Sequence, residues 1–199
     1  MNNISELQEI ISDKKKEYFE KIENFCKEDE FKKFKTPFDI IYFKDIYTDE
    51  GKLKRNPFKN KINKGDCGIY IFFCDDKVKE KIKDFYPKSK KGENLSKYNE
   101  ENFDDKDKEN SLNCLYVGSS KELKSRLREH CDDKPKGPYA MHIGSWKNWL
   151  TQEELKNGQI KIEILKLENQ NEYFPDQIQF YEDVLWDYYK PLLGRRGSK

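Results

Sequence analysis

Cys67-Gly68-Ile69-Tyr70-Ile71-Phe72-Phe73 is a short, near-continuous apolar run in a chain where 39% of the 199 residues are Asp, Glu, Lys or Arg. Bounded on its N-terminal side by Gly65-Asp66, it reads as a β-strand. Alternation puts Tyr70 and Phe72 on one face and Ile69, Ile71 and Phe73 on the other. A second run, Leu112-Asn113-Cys114-Leu115-Tyr116-Val117-Gly118, reads the same way, with Cys114 and Tyr116 opposite Leu115 and Val117. Paired strands would project Tyr70 and Tyr116 together, which ordinary sheet packing also explains. Apolar residues make up only 35% of the chain, a fraction that leans towards disorder. The 3 Trp, 12 Tyr and 13 Phe argue the other way, because each buries a large area. One domain with an extension fits the length.

Lys and Arg total 39 against 38 acids, a net charge of +1. This excludes a polycation that holds nucleic acid by bulk charge, so an anionic partner must meet a local patch. Residues 77–97 carry a local +5, and residues 100–109 a local −4. Lys outnumbers Arg 34 to 5, so each arginine points to a need for guanidinium geometry. Four of the five fall in two pairs, Arg126 with Arg128 and Arg195 with Arg196. Five widely spaced cysteines without a CxxC pair fit reduced cytoplasmic thiols and speak against zinc. The polar N-terminus and the lack of a long apolar run predict neither a signal peptide nor a membrane span.

Periodic Ile4, Leu7, Ile11, Tyr18, Ile22 and Phe25 predict an amphipathic helix over 4–34 within an N-terminal extension, 1–37. The main domain, 38–199, begins with a β-type run over 38–47. It is interrupted at about 75–110 by a charged insertion, a helix near 77–85 followed by a mobile loop. Ser119 and Glu122 form a capping-box pattern ahead of a helix ending near His130. Residues 140–157 predict a helix with Trp146, Trp149 and Leu150 on one side, and 160–164 a half-buried strand. A last helix runs from Pro175 to about Tyr189.

Two features resist a purely structural reading. Arg126 and His130 share one helix face, a pairing suited to a phosphate contact and a proton transfer, although a solvated face has the same pattern. Glu182 falls in the apolar stripe of Ile178, Leu185 and Tyr189. A carboxylate there needs a cationic partner or a metal, or acts as a base. A single carboxylate suits Mg²⁺, which keeps its waters and completes its shell with substrate phosphate.

Gly68-Ile69-Tyr70, Tyr116-Val117-Gly118, Arg126, His130 and Glu182, in that order, resemble the GIY-YIG nuclease superfamily, most of all its restriction endonucleases. The resemblance covers roughly 66–194 apart from the insertion. It implies an α/β (α+β) fold with a small mixed sheet of about three strands flanked by helices. It also implies hydrolysis of a DNA phosphodiester with Mg²⁺ or Mn²⁺. In that scheme Tyr70 accepts a proton or orients water, Tyr116 orients it and the phosphate, Arg126 holds the phosphate, and Glu182 binds the metal. His130 partners Tyr70 in relaying the proton. Lys121, Lys124, Arg128, Arg195 and Arg196 are the candidate DNA contacts. One site per chain would cut both strands as a homodimer or by two successive nicks. The sequence departs from the family in two ways. Forty-five residues separate the two tyrosines, and Gly194 stands where many members carry an Asn after Pro191-Leu192-Leu193. The second departure keeps open a catalytically weak or inactive DNA- or protein-binding module on the same fold.

Overall fold

A computed structural model describes residues 13, 16, 20, 39–89, 97–103, 112–133, 140–151, 153–154 and 160–197. The helix expected over 4–34 lies outside the described residues, apart from the three single positions.

The sheet has the order β1-β4-β2-β3, with β1 Asp39–Tyr42, β2 Gly68–Cys74, β3 Asn113–Ser120 and β4 Ile160–Lys166. All three pairings are antiparallel. The α/β expectation holds, but the sheet is antiparallel rather than mixed, and the β-type run over 38–47 supplies a fourth strand only over Asp39–Tyr42, its second half forming the short helix Phe43–Ile46 instead. Every residue of β2 is buried, as a central strand covered on both faces requires.

One core layer packs Tyr70, Phe72, Ile162 and Ile164 against the short helix α1 (Phe43–Ile46), α2 (Asp76–Ser89) and α3 (Leu123–Cys131). Within α2, Val78, Ile82 and Tyr86 recur four residues apart and turn inward. Asp75 caps this helix by accepting the Val78 N–H at 2.9 Å. The other layer packs Ile69, Ile71, Phe73, Val117 and Leu165 under α4 (Pro175–Tyr189).

Three local expectations change. Pairing shifts between Phe72 and Phe73, so Phe72 opposes Tyr116 and Phe73 opposes Cys114. Leu115 therefore joins the Tyr116 layer, and Cys114 the opposite one. Second, β3 continues to Ser120, and no side chain caps α3. The start of α3 is instead held by the Leu123 N–H donating to the Asp66 carbonyl at 2.9 Å. Third, residues Ile143–Asn148 form a 3₁₀ helix rather than an α-helix. The chain is pressed there against the end of α3, where a Cβ on Gly144 would lie 2.7 Å from the Asp133 nitrogen. The inward side chains were legible all the same, since Trp146 and Leu150 are buried.

Phe72 is fully buried, whereas Tyr188 on α4 is 71% exposed. Phe72→Ala should cost about 3–5 kcal/mol of unfolding free energy, and Tyr188→Ala under about 0.5 kcal/mol, in urea denaturation.

Candidate active site

The site lies at the edge strand β3, where one residue without a side chain opens a passage between the two faces of the sheet. Register puts Tyr70 directly opposite Gly118. A Cβ on Gly118 would sit 2.5 Å from Tyr70 Oη and 2.8 Å from Tyr116 Cε1. The two phenol rings occupy that space, stacked 6° from parallel with centroids 6.2 Å apart. On the other side of the strand, Ser119 and Glu182 face the same cleft. Its volume is about 210 Å³, and its lining includes Tyr70, Tyr116, Arg126, Ser119, Glu182 and Tyr173.

Glu182 sits on α4 and is only 9% exposed. Among the described residues no ion pair reaches it. The Ser119 hydroxyl donates to its Oε2 at 2.6 Å. Burial pushes its carboxyl up to about 7, with the Ser119 hydrogen bond pulling the other way and Asp183 adding to the rise. The carboxylate is thus held against the cleft by the hydroxyl and backbone N–H of one neutral residue, a costly arrangement that packing alone does not require.

His130 is completely buried against the tyrosines, its ring centroid 4.7 Å from that of Tyr116 and 5.5 Å from that of Tyr70. Burial, Arg126 and His142 hold its pKa well below the usual value, so the ring is neutral. The Met141 N–H donates to Nδ1 at 3.2 Å. That bond puts the ring proton on Nε2, which donates to Tyr70 Oη at 3.0 Å. His130 therefore has no lone pair facing Tyr70, and the relay expected of it becomes a donor role.

Burial raises the Tyr70 pKa well above the usual value, with Tyr116 adding to the rise and Arg126 opposing it. Tyr116 is raised by burial and likewise opposed by Arg126. Arg126 hydrogen-bonds both phenols. Burial disfavours its charge, but the Tyr70 and Tyr116 phenols and Glu129 outweigh this and hold it above its usual value. Glu129 lies one turn on and accepts from Arg126 Nη1 at 2.7 Å.

The structure therefore brings Tyr70, Tyr116, Arg126 and Glu182 together around one cleft, with His130 buried in the core against the tyrosines. The outer cations are placed differently. Lys121 and Arg128 are exposed and Lys124 half-buried on or beside α3. Arg128 Nη1 donates to the Arg55 carbonyl at 3.1 Å. Arg196 holds Asp187 with two bonds, at 2.7 and 2.9 Å, and Arg195 is exposed beside it. Gly194 has φ +107°, and a Cβ there would lie 3.0 Å from Tyr116 Cε2. A side chain at this position would be strained and would press on the tyrosine ring.

Sequence reasoning missed Ser119, Glu129 and Tyr173. Continuing the alternation one step past Val117 would have put Ser119 on the α4 face. Its resemblance to a helix cap concealed that. Glu129 carried the ordinary signature of a helix i,i+3 partner. Tyr173 precedes α4 and directly follows a 3₁₀ segment, Gln170–Glu172, with no periodic signal.

Residues 68–197 match the family model described as the GIY-YIG catalytic domain. The chain belongs to this family, whose fold is that of a nuclease. No curated protein and no solved structure matches it. Among the described residues no helix is long and apolar enough to cross a membrane.

Two outcomes follow from the geometry. Between pH about 4.5 and about 7 the folded protein holds a proton on Glu182 that the unfolded chain releases, so stability falls as pH rises through this window. Glu182→Gln should match the wild type near pH 4 and exceed it at pH 8, by on the order of 3 kcal/mol in urea titrations at the two pH values. Gly118→Ala should destabilise by about 1–3 kcal/mol, because the tyrosines lie over the position rather than beside it. The same denaturation measurement checks it, and near-ultraviolet circular dichroism should report the displaced rings.

Proposed function

We propose that the chain is a metal-dependent DNA endonuclease that hydrolyses phosphodiester bonds, of the restriction or phage-defence type. The observation that carries this reading is the meeting of the Glu182 carboxylate with Tyr70, Tyr116 and Arg126 across one cleft. These residues come from both faces of the sheet, so no single packing requirement explains their convergence.

The donor set suits Mg²⁺ or Mn²⁺. Glu182 offers one carboxylate to the cleft, and among the described residues no cluster of three or more His, Cys, Asp or Glu offers a closed cage. When bound, such an ion neutralises charge developing on the phosphate and on the leaving 3′ oxygen. Glu182 would be its protein ligand, with Ser119 fixing the carboxylate through Oε2.

The rest follows from the chain's own groups. Arg126 is permanently charged and has a guanidinium edge towards the phenols, where a phosphate oxygen can take it. Glu129 keeps the guanidinium from swinging out of the cleft. Tyr70 Oη accepts from His130 Nε2 and from Arg126. Two donors on one phenolic oxygen favour its ionised form and direct the phenol's own proton away from both. Once the phenol has passed its own proton to solvent in the cleft, the oxygen can orient an attacking water and take up its proton. Tyr116, stacked on Tyr70, sets the position of that oxygen and contacts the phosphate.

Recognition of a short DNA sequence would come from elements added to the nuclease core: the N-terminal extension, the insertion and the 140–157 region. Such a reading suits a chain in which the matched domain fills most of the length. A homodimer, or two successive nicks, would give double-strand cleavage.

The test is cleavage of supercoiled plasmid with Mg²⁺, comparing wild type with Glu182→Ala and Tyr70→Phe. Both variants should lose at least about a hundredfold in rate, and EDTA should stop the wild type. Discrete fragments would indicate a specific site. Cutting that persists undiminished in Glu182→Ala would overturn the assignment.

A further inference from the structure

The stretch 97–103 lies in the insertion between the two tyrosine strands, yet it is bonded to the active-site strand through the segment that follows α4. Tyr98 and Leu193 form an antiparallel bridge. The Gly194 N–H donates to the Lys97 carbonyl at 2.8 Å, and the Asn99 N–H to the Leu192 carbonyl at 3.0 Å. Residues 192–193 are joined in turn to β3. The Leu192 N–H donates to the Cys114 carbonyl at 3.0 Å, and the Leu193 N–H to the Leu115 carbonyl at 2.9 Å. The edge strand that carries Tyr116 is thus covered by residues 192–193, and these in turn by residues 97–99.

Asn99 is the centre of this arrangement and is completely buried. Its Nδ2 donates to the Pro191 carbonyl at 3.0 Å and to the Gly194 carbonyl at 3.2 Å. Its Oδ1 is buried with no hydrogen-bond partner. A buried acceptor left in this way is costly, and such groups are rare enough to call for a reason. Asn102 Nδ2 also donates to the Pro191 carbonyl, at 2.9 Å, but is not bonded to Gly194. Gly194 is the contact that matters. Its backbone, at φ +107°, lies against the Tyr116 ring, so the position of its carbonyl bears on where that ring sits. Tyr98 and Phe103 secure the stretch, with ring centroids 4.7 Å apart, and Tyr98 also stacks on Tyr86 of α2 at 6.5 Å.

We propose that residues 97–103 form a strap that positions Tyr116, and that Asn99 is its positioning residue, acting through the Gly194 carbonyl. The inserted segment is then part of the site's framework rather than a decoration of the surface. The catalytic part of this inference rests on the nuclease reading, and the structural part does not.

The experiment compares Asn99→Ala with Asn102→Ala in the full chain. Both remove a bond to Pro191, and only the first removes the bond to the Gly194 carbonyl. Two readouts are taken: kcat and KM on a duplex oligonucleotide, and the Tyr116 ring signals in protein labelled with ¹³C-tyrosine, assigned with Tyr116→Phe. Asn99→Ala should lower kcat by about ten- to a hundredfold with KM within about twofold, and should shift the Tyr116 ring signals. Asn102→Ala should leave kcat within about twofold and the ring signals in place. Gly194→Ala, which adds a methyl against the same ring, should reproduce the Asn99→Ala fault. Combined with Asn99→Ala, it should add less than the product of the two effects. A folded Asn99→Ala protein with unmoved Tyr116 signals would overturn the proposal. Should Asn99→Ala not fold, Asn99→Ser and Gly194→Ala carry the same two readouts. Wild-type protein that cuts no DNA would defeat the nuclease reading alone, because the ring signals still decide the strap.

Discussion

Everything at this site depends on the contact between the Tyr70 ring and the bare backbone of Gly118 on the neighbouring strand. Antiparallel register sets the two residues opposite each other. The absent side chain leaves room for two stacked phenols, with an imidazole against them. It also thins the sheet at its edge, so that Glu182, approaching under one face, shares a cleft with Arg126, approaching over the other. A larger residue at 118 would fill that passage before any question of chemistry arose.

The electrostatics of the cleft follow from the same enclosure. Burial raises the carboxyl of Glu182 and the phenols of Tyr70 and Tyr116, and lowers the imidazole of His130. Each group is thereby driven towards its neutral form, and Arg126 is left as the permanent charge among them. On the proposed nuclease reading, a cation beside Glu182 would favour its ionised form, and a phosphate would meet Arg126 on the side that Glu129 leaves open. The buried Glu182 carboxylate costs stability that a purely structural residue at this position would not.

The protection of the edge strand is of the same kind. An open edge at β3 would expose unpaired backbone next to the cleft. Here the segment after α4 bonds to β3, and 97–103 bonds to that segment. Beyond the sheet, the Gly197 N–H donates to Asp183 and Arg196 holds Asp187, which fastens the chain back onto α4. The cations at the C-terminal end thus serve the fold at least in part, and the chain's near-neutral charge is less informative about its substrate than the placement of Arg126.

The sequence by itself determined the strands around Tyr70 and Tyr116, the helix carrying Arg126 and His130, and the odd position of Glu182. These features depend on short-range periodicity, which is written in consecutive residues. It also revealed the aromatic core that lets so charged a chain fold. Tertiary structure decided the rest. The bulge that moves Cys114 and Leu115 to opposite layers is a matter of pairing between strands, and alternation along one strand cannot show it. The direction of the His130–Tyr70 hydrogen bond depends on the Met141 amide, eleven residues away. The partner of Glu182 is Ser119, 63 residues away, a serine whose local pattern points to a helix cap. The role of the insertion turns on Asn99 meeting carbonyls more than 90 residues further along the chain. Each of these is a contact between segments distant in sequence, and only the closed fold brings their atoms within hydrogen-bonding range.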